Sequence, residues 1–395
     1  MLISGAGPAG AALALQLVRR GVEVQLIEAC ADLDRPFRGE ALMASGLEAL
    51  AGLGLDPLPA TIPSRRLRGW SFHLDGRLLF DVPEPDGSGP ACTLIRQGPL
   101  LRALLEQAGR HGGFRYLEGQ SVAALLRDGE RISGVRLADG RQLVADLVVA
   151  CDGRSSLIRR LAAIELEPLE APIALLWFRL EAAATATIAA WLDGRFATLL
   201  STAGDLTLVE TASGDLQLGW LLRQQEQGDP LPWPQRWARC APPELARLLT
   251  ALPATAIHAP VQLSLQAARA SCWQKPGLLL LGDAAHPMSP LRAQGLNMAL
   301  RDAVVAAALL AEPLKRGDRA GLAAASAQIE TTRLREIRII QSLQAREAGR
   351  GALLAQPARR RMLAEAARWI GPGLGMVWQA SQRQLRRGVQ PLPPP

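Results

Sequence analysis

The sequence lacks the patterns that tie cysteine residues to metals or to disulfides. Its five cysteines are scattered, with no CxxC pair and no spacing typical of metal ligands. We therefore expect reduced and mostly buried thiols, no bound metal ion and a cytoplasmic location.

Long apolar runs are missing as well. No run approaches the about 20 residues that a membrane-spanning helix needs. The chain begins at once on a predicted strand, so we expect no signal peptide. Hydrophobic residues make up 49% and charged residues 21% of the 395 positions, which is typical of a chain that folds. This length favours two domains or one large two-lobed enzyme.

Positive charge is in excess, and most of it lies late in the chain. The formal net charge is +7. The late arginines are Arg333, Arg335, Arg338, Arg359, Arg360, Arg361, Arg386 and Arg387. Solvated helix faces explain such a region best, and we expect no nucleic-acid partner. Peripheral contact between the basic C-terminal helices and an anionic membrane remains an alternative.

The N-terminal residues carry a dinucleotide-binding fingerprint. A short apolar run precedes GAGPAG at residues 5–10, a helical pattern and a second strand follow, and Glu28 stands 18 residues after Gly10. Gly5 allows a tight turn, Gly7 lets a pyrophosphate approach the backbone, and Gly10 lets helix and strand pack closely. Glu28 can accept hydrogen bonds from a ribose 2′-hydroxyl. The setting of strand, turn, helix, strand and acid predicts a nucleotide site.

A second stretch, residues 277–303, resembles the other half of such a holder. An apolar run stops at Gly282-Asp283, a loop of proline and small residues follows, and a helical pattern begins. A carboxylate at the end of a buried strand needs partners, which polyol hydroxyls of a cofactor could supply. A helix-capping role is the alternative for Asp283. His286, in the same loop, is equally consistent with a structural and a catalytic role.

The intervening chain predicts antiparallel sheet. Residues 67–82 alternate between apolar and polar positions around a turn at Asp75-Gly76. Residues 167–266 are strand-like, with a helical patch at 230–252. Beyond residue 313 the pattern is helical, and PLPPP at the end is predicted to be frayed.

A third motif is Asp152-Gly153, which follows an apolar strand. With GAGPAG, Asp-Gly and GDAAH in this order, the chain resembles the class A FAD-dependent monooxygenases, the aromatic hydroxylases with the p-hydroxybenzoate hydroxylase fold, over roughly residues 1–345. The resemblance implies an α/β fold, in which a Rossmann-like FAD-binding domain carries an α+β second domain with an antiparallel sheet. Expected ranges are 1–68, 92–166 and 267–345 for the FAD-binding domain, 69–91 and 167–266 for the substrate domain, and 346–395 for a C-terminal helical extension and tail.

The resemblance also implies roles for individual residues. The expected FAD contacts are Gly5, Gly7, Pro8, Ala9 and Gly10 at the pyrophosphate, Glu28 at the adenosine ribose, Arg38 and Gly39 near the flavin, Arg96 at the ribityl-pyrophosphate, Asp152 and Gly153 in support, Gly282 and Asp283 at the ribityl chain, and Gln294, Gly295, Leu296 and Asn297 at the pyrimidine edge of the ring. The last four begin a helix, whose N-terminus favours a reduced, anionic flavin. Pro290 is expected to lie against the isoalloxazine ring.

Two departures from the family pattern concern the chemistry. Arg292-Ala293 stand where the family usually has two glycines, so Arg292 could place a cation near the flavin or near an acidic substrate. Tyr116 is the only tyrosine, which excludes the tyrosine pair that deprotonates a phenol in the namesake enzyme. His73, on the hairpin expected to roof the pocket, is our candidate base. Five tryptophans of the sheet domain could wall an apolar pocket together, although each alone is better explained as core: Trp177, Trp191, Trp220, Trp233 and Trp237.

The expected function is that of an FAD-dependent monooxygenase. It would use NAD(P)H as a transient co-substrate and O₂, via a flavin C4a-hydroperoxide, to hydroxylate an apolar small molecule of aromatic or isoprenoid-like character. One alternative is a reductase or dehydrogenase of the same fold without oxygen insertion. Another is a membrane-associated flavoprotein, in which residues 359–378 form an interfacial helix instead of packing over the FAD lobe. A third alternative is a relative that has lost its flavin.

Overall fold

A computed structural model describes residues 1–34, 40–85, 87, 89–222, 231–353 and 357–393, with side chains except at 350–353 and 357–359. The strands are β1 Leu2–Ser4, β2 Val24–Glu28, β3 Ala41–Leu42, β4 Ser64–Arg66, β5 Gly69–Leu74, β6 Arg77–Pro83, β7 Thr93–Ile95, β8 Phe114–Glu118, β9 Val122–Asp128, β10 Arg131–Leu137, β11 Gln142–Val144, β12 Val148–Ala150, β13 Leu166–Pro168, β14 Ile173–Leu180, β15 Arg195–Ser201, β16 Gly204–Glu210, β17 Leu216–Leu221, β18 Val261–Leu265, β19 Ala268–Ala270, β20 Gln274–Lys275 and β21 Leu278–Leu280. The helices are α1 Pro8–Arg19, α2 Ala44–Gly52, α3 Gln97–Gly109, α4 Leu157–Leu161, α5 Ala182–Leu192, α6 Trp233–Ala238, α7 Pro243–Thr250, α8 Gln294–Arg316, α9 Arg319–Leu353 and α10 Pro357–Arg387.

A six-stranded sheet of order β20-β21-β12-β1-β2-β8 carries the two predicted halves of the nucleotide site. Its strands run parallel except for β20 at the edge. Strands β1, β12 and β21 are entirely buried, as expected for a parallel sheet covered on both faces. Helices α1, α3 and α8 pack into one apolar core on one side of it. The carboxyl ends of β1, β12 and β21 therefore lie side by side, where GAGPAG, Asp152 and Gly282 follow them.

A seven-stranded sheet of order β18-β14-β17-β16-β15-β5-β6 forms the second layer. It is antiparallel except where β5 pairs with β15, so the hairpin β5–β6 joins it from far away in the sequence, as the alternating pattern predicts. The turn residues Asp75 and Gly76 both have positive φ, which suits a tight hairpin.

The two faces of the seven-stranded sheet differ in what they meet. One face, here called the outer face, packs Leu206, Leu218 and Trp220 against helices α5, α6 and α7. The opposite face, here called the inner face, presents Trp70, Phe72 and Val209 to residues of the FAD-binding domain such as Met43 and Leu94. The inner face is therefore the surface at which the two domains meet.

The C-terminal helices are part of the same body. Helix α9 continues without a break through residue 345, where the sequence suggested a boundary. Helix α10 packs against strand β6 and also contacts β5, α2 and α9. Arg386 of α10 forms a bidentate ion pair with the buried Glu84 after β6, and Glu84 also accepts a hydrogen bond from Trp70 Nε1 at 2.7 Å. Helix α10 thus packs mainly over the substrate-domain hairpin and also contacts the FAD lobe through α2 and α9.

The described part of the chain end is not frayed, which corrects the sequence expectation. Val389 N donates to Glu336 Oε1 at 2.7 Å, and Arg301 donates to the carbonyl oxygen of Gln390. Leu392 packs against the core of the FAD-binding domain. No described helix combines the length and the apolar content that a membrane crossing requires.

Candidate active site

The glycine turn after β1 has the geometry that the fingerprint predicts. A Cβ on Gly5, whose φ is +100°, would lie 2.3 Å from the carbonyl oxygen of Cys151. A Cβ on Gly10 would lie 1.9 Å from the carbonyl oxygen of Gly5. A Cβ on Gly7 would meet no atom within 4 Å. Gly5 and Gly10 are therefore required by packing, while the open space at Gly7 is where a ligand can approach the backbone.

The acid at the end of β2 faces this turn. Glu28 Oε2 accepts a hydrogen bond from Ala6 N at 2.7 Å, and Oε1 accepts one from Cys30 N at 2.9 Å. Pro8 and Ala9 begin α1, and no side chain caps the start of this helix. The first N–H groups of α1 are therefore available to an anion, next to an acid suited to a ribose.

The Asp152-Gly153 motif follows β12 beside this turn. Asp152 Oδ1 accepts a hydrogen bond from Ser156 Oγ at 2.5 Å, and Oδ2 accepts one from Ile158 N at 3.1 Å. Its carboxylate thus organises the start of α4. Asp152 therefore acts on the site by holding the backbone at the start of α4 in place.

The second half of the site begins where β21 ends. Asp283 lies in a 3-10 turn, Gly282–Ala284, and is paired with Arg154 at 3.0 Å between Oδ2 and Nε. Its side chain is 29% exposed, so it is neither unpaired nor inaccessible. A Cβ on Gly295 would lie 3.8 Å from Asp283 Oδ1, which brings the start of α8 next to this carboxylate.

A buried charge network supports the Gly282 turn from below. Asp302 Oδ2 accepts hydrogen bonds from Gly282 N at 2.9 Å and lies 2.6 Å from His286 Nε2, while its Oδ1 accepts one from Arg333 Nε at 2.6 Å. His286 is fully buried and stacks on Trp273. The structural role of His286 is therefore favoured over a catalytic one. Burial would raise the pKa of Asp302, but His286 and Arg333 outweigh it and lower this pKa to about 2.

The N-terminus of α8 is fixed by the buried side chain of Asn297. Its Oδ1 accepts a hydrogen bond from Met43 N at 2.8 Å, and its Nδ2 donates to the carbonyl oxygens of Ala41 and Ala293 at 3.0 and 2.8 Å. Gln294 is also buried and donates to the carbonyl oxygen of Arg292 at 2.9 Å. Leu296 is buried in the core of the FAD-binding domain. These contacts hold the first turn of α8 rigidly and leave its N-terminus without a side-chain cap.

The loop before α8 keeps a glycine-like conformation without glycine. Arg292 and Ala293 have φ values of 60° and 48°, in the left-handed region that costs an L-residue roughly 1 kcal/mol. Pro290 immediately precedes this turn, which spans Leu291–Ala293. The backbone of this loop thus follows the path expected for two glycines, and the difference lies in the Arg292 side chain.

That side chain extends into a cage of aromatic rings. The Arg292 guanidinium carbon lies 4.5 Å from the ring centre of Trp378 and 5.3 Å from those of Trp70 and Phe72. Arg292 Nε also donates to Glu347 Oε1 at 2.7 Å. Burial would raise the pKa of Glu347, but the charge and hydrogen bonds of Arg292 lower it below its usual value. Arg292 is therefore held as a cation beside the inner face.

Sequence reasoning missed the C-terminal members of this cage. Glu347 lies on α9 and Trp378 on α10, 55 and 86 positions after Arg292. Gln382 Nε2 also donates to Glu347, at 3.1 Å. The only sequence signal was an uncompensated arginine in a loop that should be glycine-rich, and it did not indicate a partner.

His73 does not join this group, and its predicted role needs correction. Trp70 and Phe72 point to the inner face, so the alternation of β5 turns His73 to the outer face. There its ring centre lies 5.5 Å from that of Trp191 of α5, with the two rings tilted by 40°. Burial lowers the pKa of His73 to about 4.

Trp220 and Trp237 also pack in the outer core. Trp177 differs from these two tryptophans. It precedes Phe178 on β14, and because Phe178 packs in the outer core, the alternation of the strand places Trp177 on the inner face.

A cleft between the domains contains a further titrating group. Glu40, which precedes β3, accepts a hydrogen bond from Gln217 Nε2 of the inner face at 3.2 Å. Arg96, at the start of α3, and Arg179 line the same cleft. Burial raises the pKa of Glu40 to about 7, against the opposing effect of Arg96. Arg38 and Gly39, which we expected near the flavin, lie outside the described residues.

The donor set fits FAD. The site provides one partner for each polar portion of the cofactor: open space over Gly7, two helix N-termini without side-chain caps, an acid at the ribose end and Asp283 in the middle. No group of His, Cys, Asp or Glu in the described ranges is placed to hold a metal ion.

Comparisons with known proteins agree with this fit. Residues 1–333 match the family model described as FAD binding domain. The chain is 34% identical over 382 residues to 6-methylpretetramide 4-monooxygenase of Streptomyces rimosus, covering 90% of this chain and 86% of that protein. It is 30% identical over 347 residues to the ubiquinone hydroxylase UbiL of Rhodospirillum rubrum, covering 82% and 73%.

Solved structures share the fold. The structure of p-nitrophenol 4-monooxygenase from Pseudomonas putida superposes with a TM-score of 0.75 at 17% identity, covering 99% of this chain and 98% of that one. The structure of PqsL from P. aeruginosa gives a TM-score of 0.74 at 24% identity, covering 92% and 98%. With the family match and the relatives, these findings show that the chain belongs to the FAD-binding-domain family and is a class A FAD-dependent monooxygenase.

Proposed function

We propose that this monooxygenase hydroxylates a planar, largely apolar aromatic small molecule held between the loop of residues 290–293, here called the flavin loop, and the inner face of the seven-stranded sheet. One observation carries the proposal: Arg292 of the flavin loop is in direct contact with Trp70, Phe72 and Trp378. The names of the relatives point the same way, because they include monooxygenases of aromatic compounds. The relatives are monooxygenases and hydroxylases, so they favour oxygen insertion over the reductase alternative.

The overall reaction takes one oxygen atom from O₂ into the product and the other into water, while NAD(P)H supplies two electrons as hydride. FAD, when bound, would accept the hydride and activate O₂. Gly7 and the α1 N-terminus would bind its pyrophosphate, Glu28 its ribose and Asp283 its ribityl hydroxyls. Pro290 and residues 294–297 would orient the ring through a rigid loop whose Asn297 is fixed by three hydrogen bonds.

The chain's own side chains would orient the substrate and exclude water. The rings of Phe196 and Trp378, which are partly buried beside Phe72, would provide the apolar surface on which a planar molecule stacks. Arg292 would hold a positive charge beside them, which favours a substrate that is acidic or becomes anionic during reaction. The proton acceptor is not His73, because its side chain lies on the outer face.

The test of this function is turnover across phenols, quinol precursors and isoprenoids with labelled O₂. A substrate should accelerate NAD(P)H oxidation, suppress peroxide release and acquire one labelled oxygen atom. NAD(P)H oxidation that releases all oxygen as peroxide with every aromatic compound would refute the aromatic substrate class. Acceleration by isoprenoids alone would replace it.

Two matched variants locate the substrate surface. We expect Trp378→Ala to raise the KM of an aromatic substrate by about threefold to tenfold, because a stacked ring contributes about 0.5–1.5 kcal/mol. Trp191→Ala removes the same type of side chain from the outer face and should leave KM unchanged. Equal effects of both variants would contradict the assignment of the substrate to the inner face.

Peripheral membrane contact is a second candidate property, and one observation favours it. Helix α10 buries one side against the hairpin β5–β6, while its opposite side holds exposed apolar and basic residues. Such contact would bring the enzyme close to apolar molecules without altering its chemistry.

A further inference from the structure

The exposed side of α10 carries an unusual run of large apolar side chains. Met362, Trp369 and Met376 are 62%, 75% and 68% exposed, and Val377 is 62% exposed. These four are half of the eight large hydrophobic residues that are exposed in the described ranges. Large exposed apolar side chains are expected singly on a surface, so their concentration on one helix marks a contact site.

Their spacing places them on one line. Met362, Trp369 and Met376 follow one another at intervals of seven residues, which is close to two turns of an α-helix. Residues 362–377 therefore form an apolar stripe about 22 Å long, at 1.5 Å per residue. We call this set, Met362, Trp369, Met376 and Val377, the outer stripe.

The other side of the same helix is already occupied. Ala364 and Ala367 pack with Leu74 and Leu79 of the hairpin, and a Cβ on Gly371 would lie 2.1 Å from the carbonyl oxygen of Leu79. Gln382 and Arg386 of this side are held by Glu347 and Glu84. Helix α10 is thus fastened to the protein along its inner side, and the outer stripe is not a surface that the chain could bury by a small rotation.

Basic residues border the stripe on one flank. Arg361, Arg368 and Arg383 are exposed, and on a helical wheel all three lie to the same side of Trp369. Arg368 lies over the Trp369 ring, with its guanidinium carbon 4.8 Å from the ring centre. Glu365 is the acidic residue exposed on this part of the helix, where it pairs with Arg361.

The net charge beside the outer stripe distinguishes between the partners that could bind it. The three arginines and one glutamate give each copy a net charge of +2 along the stripe, and the whole chain carries +7. Two copies joined through this stripe would bring charges of the same sign together, whereas an anionic lipid surface would neutralise them. Tryptophan and arginine side chains, with apolar bodies and polar ends, also suit the boundary between acyl chains and headgroups.

We propose that the outer stripe of α10 lies in the surface of a bilayer that contains anionic lipid, with Trp369 at its centre and Arg361, Arg368 and Arg383 at the headgroups. The inference rests on the proposed membrane contact and names the surface and the lipid chemistry. It does not depend on the substrate. The contact is peripheral, since the stripe covers one side of one helix.

The experiment is cosedimentation of the FAD-loaded protein with vesicles of phosphatidylcholine alone or with phosphatidylglycerol. We expect binding to the mixed vesicles that weakens with added salt. The triple variant Met362→Gln/Trp369→Gln/Met376→Gln should reduce binding at least about tenfold. Arg361→Gln/Arg368→Gln/Arg383→Gln should reduce it by about fivefold per arginine. Val144→Gln, at a residue 72% exposed on β11 of the FAD-binding domain, is the matched control and should bind as the parent does.

Several outcomes would overturn the inference. Equal binding to neutral and anionic vesicles would remove the lipid preference, and binding that survives the triple variant would remove the assignment to α10 but leave membrane contact standing. Absence of vesicle binding would overturn both. A dimer in light scattering that the triple variant dissociates, without vesicle binding, would make a second copy the occupant. Flavin absorbance and NAD(P)H oxidation with a water-miscible substrate, measured on the same preparations, report separately on the monooxygenase function.

Discussion

The two halves of the flavin site hold their backbone in a fixed conformation by different means. After β1, Gly5 and Gly10 sit where any side chain would collide with backbone atoms less than 2.5 Å away. After β21, the left-handed positions are occupied by Arg292 and Ala293, and long-range contacts hold them there. The first half is determined by local sterics, and the second by side chains from α8, α9 and α10. The second half should therefore be the more sensitive to changes made far away in the sequence.

The largest expected effect comes from the charge network beneath the second half. Asp302→Asn removes the carboxylate that Gly282 N, His286 and Arg333 share, and leaves the guanidinium of Arg333 buried with Glu336. We expect a loss of about 3–5 kcal/mol in the free energy of unfolding, because the buried Arg333 loses one of its two carboxylate partners. Denaturant unfolding of the FAD-free protein measures it. A loss below 1 kcal/mol would show that the Gly282 turn does not depend on this network.

The same network predicts acid sensitivity. Asp302 has a pKa of about 2 in the folded protein against its usual 3.8. Because the folded-state value is the lower one, its stabilising contribution is complete above pH 3.8 and is lost as the pH falls towards 2. The free energy of unfolding of the parent should therefore decline over this window more steeply than that of Asp302→Asn. Parallel curves for the two proteins would contradict the assignment.

The first half can be broken with a single methyl group. Gly10→Ala would place a Cβ 1.9 Å from the carbonyl oxygen of Gly5, so α1 and β1 must separate. We expect a destabilisation of about 3 kcal/mol with or without FAD. Gly7→Ala is the matched control, since its Cβ meets no protein atom within 4 Å. It should leave the FAD-free melting temperature unchanged and weaken FAD binding at least about tenfold, because the Cβ occupies the approach of the pyrophosphate.

A reversal of these two results would be informative. If Gly7→Ala lowered the FAD-free melting temperature while Gly10→Ala did not, the two glycines would have exchanged roles, and the helix–strand contact would not set the first half. Flavin fluorescence titration and thermal unfolding, recorded on both variants, separate the effect on binding from the effect on folding.

The same difference explains what the sequence could and could not predict. The parallel strands, the glycine turn, Glu28 and the Asp283 loop follow from local patterns, because a turn that only glycine can adopt is visible in the residues themselves. The β5–β6 hairpin was predicted correctly for the same reason. The partners of Arg292 could not be predicted, since Glu347 and Trp378 come from helices whose placement depends on tertiary packing. The orientation of His73 was readable from the alternation of β5, but which face meets the flavin required the fold.

Arg292→Gly tests this difference, because it gives the second half of the site a glycine in the left-handed position, as in the first half. Glycine relieves the left-handed strain at φ 60°, a gain of about 1 kcal/mol, but leaves Glu347 buried without its cation. We expect a net loss of about 1–2 kcal/mol. Arg292→Gly/Glu347→Gln should recover part of it. A double-mutant cycle in denaturant measures the coupling, and additive effects would show that the pair does not hold the loop.

Arg292→Gly should also change the site itself. The loss of a cation beside the inner face should lower affinity for acidic aromatic substrates more than for neutral ones, as measured by the ratio of their kcat/KM values. Arg292→Lys keeps the charge but not the planar guanidinium that lies over Trp378 and should lie between the two. Unchanged substrate preference in Arg292→Gly would restrict this residue to a structural role.

The last effect is expected at the point where the two halves meet, and it depends on pH. Glu40 lies just before the strand that bonds to Asn297, and its pKa is raised to about 7 by burial. Since the folded-state pKa exceeds the usual 4.5, the parent should lose stability as the pH rises from 4.5 to 7, when the folded state must ionise a buried carboxyl. Glu40→Gln keeps an acceptor for Gln217 and removes this ionisation. It should therefore be more stable than the parent by up to about 3 kcal/mol at pH 8 and close to it in stability at pH 4.5. A stability difference that does not vary with pH would mean that Glu40 titrates as an exposed acid, and that the cleft between the two domains is wetter than its side-chain contacts indicate.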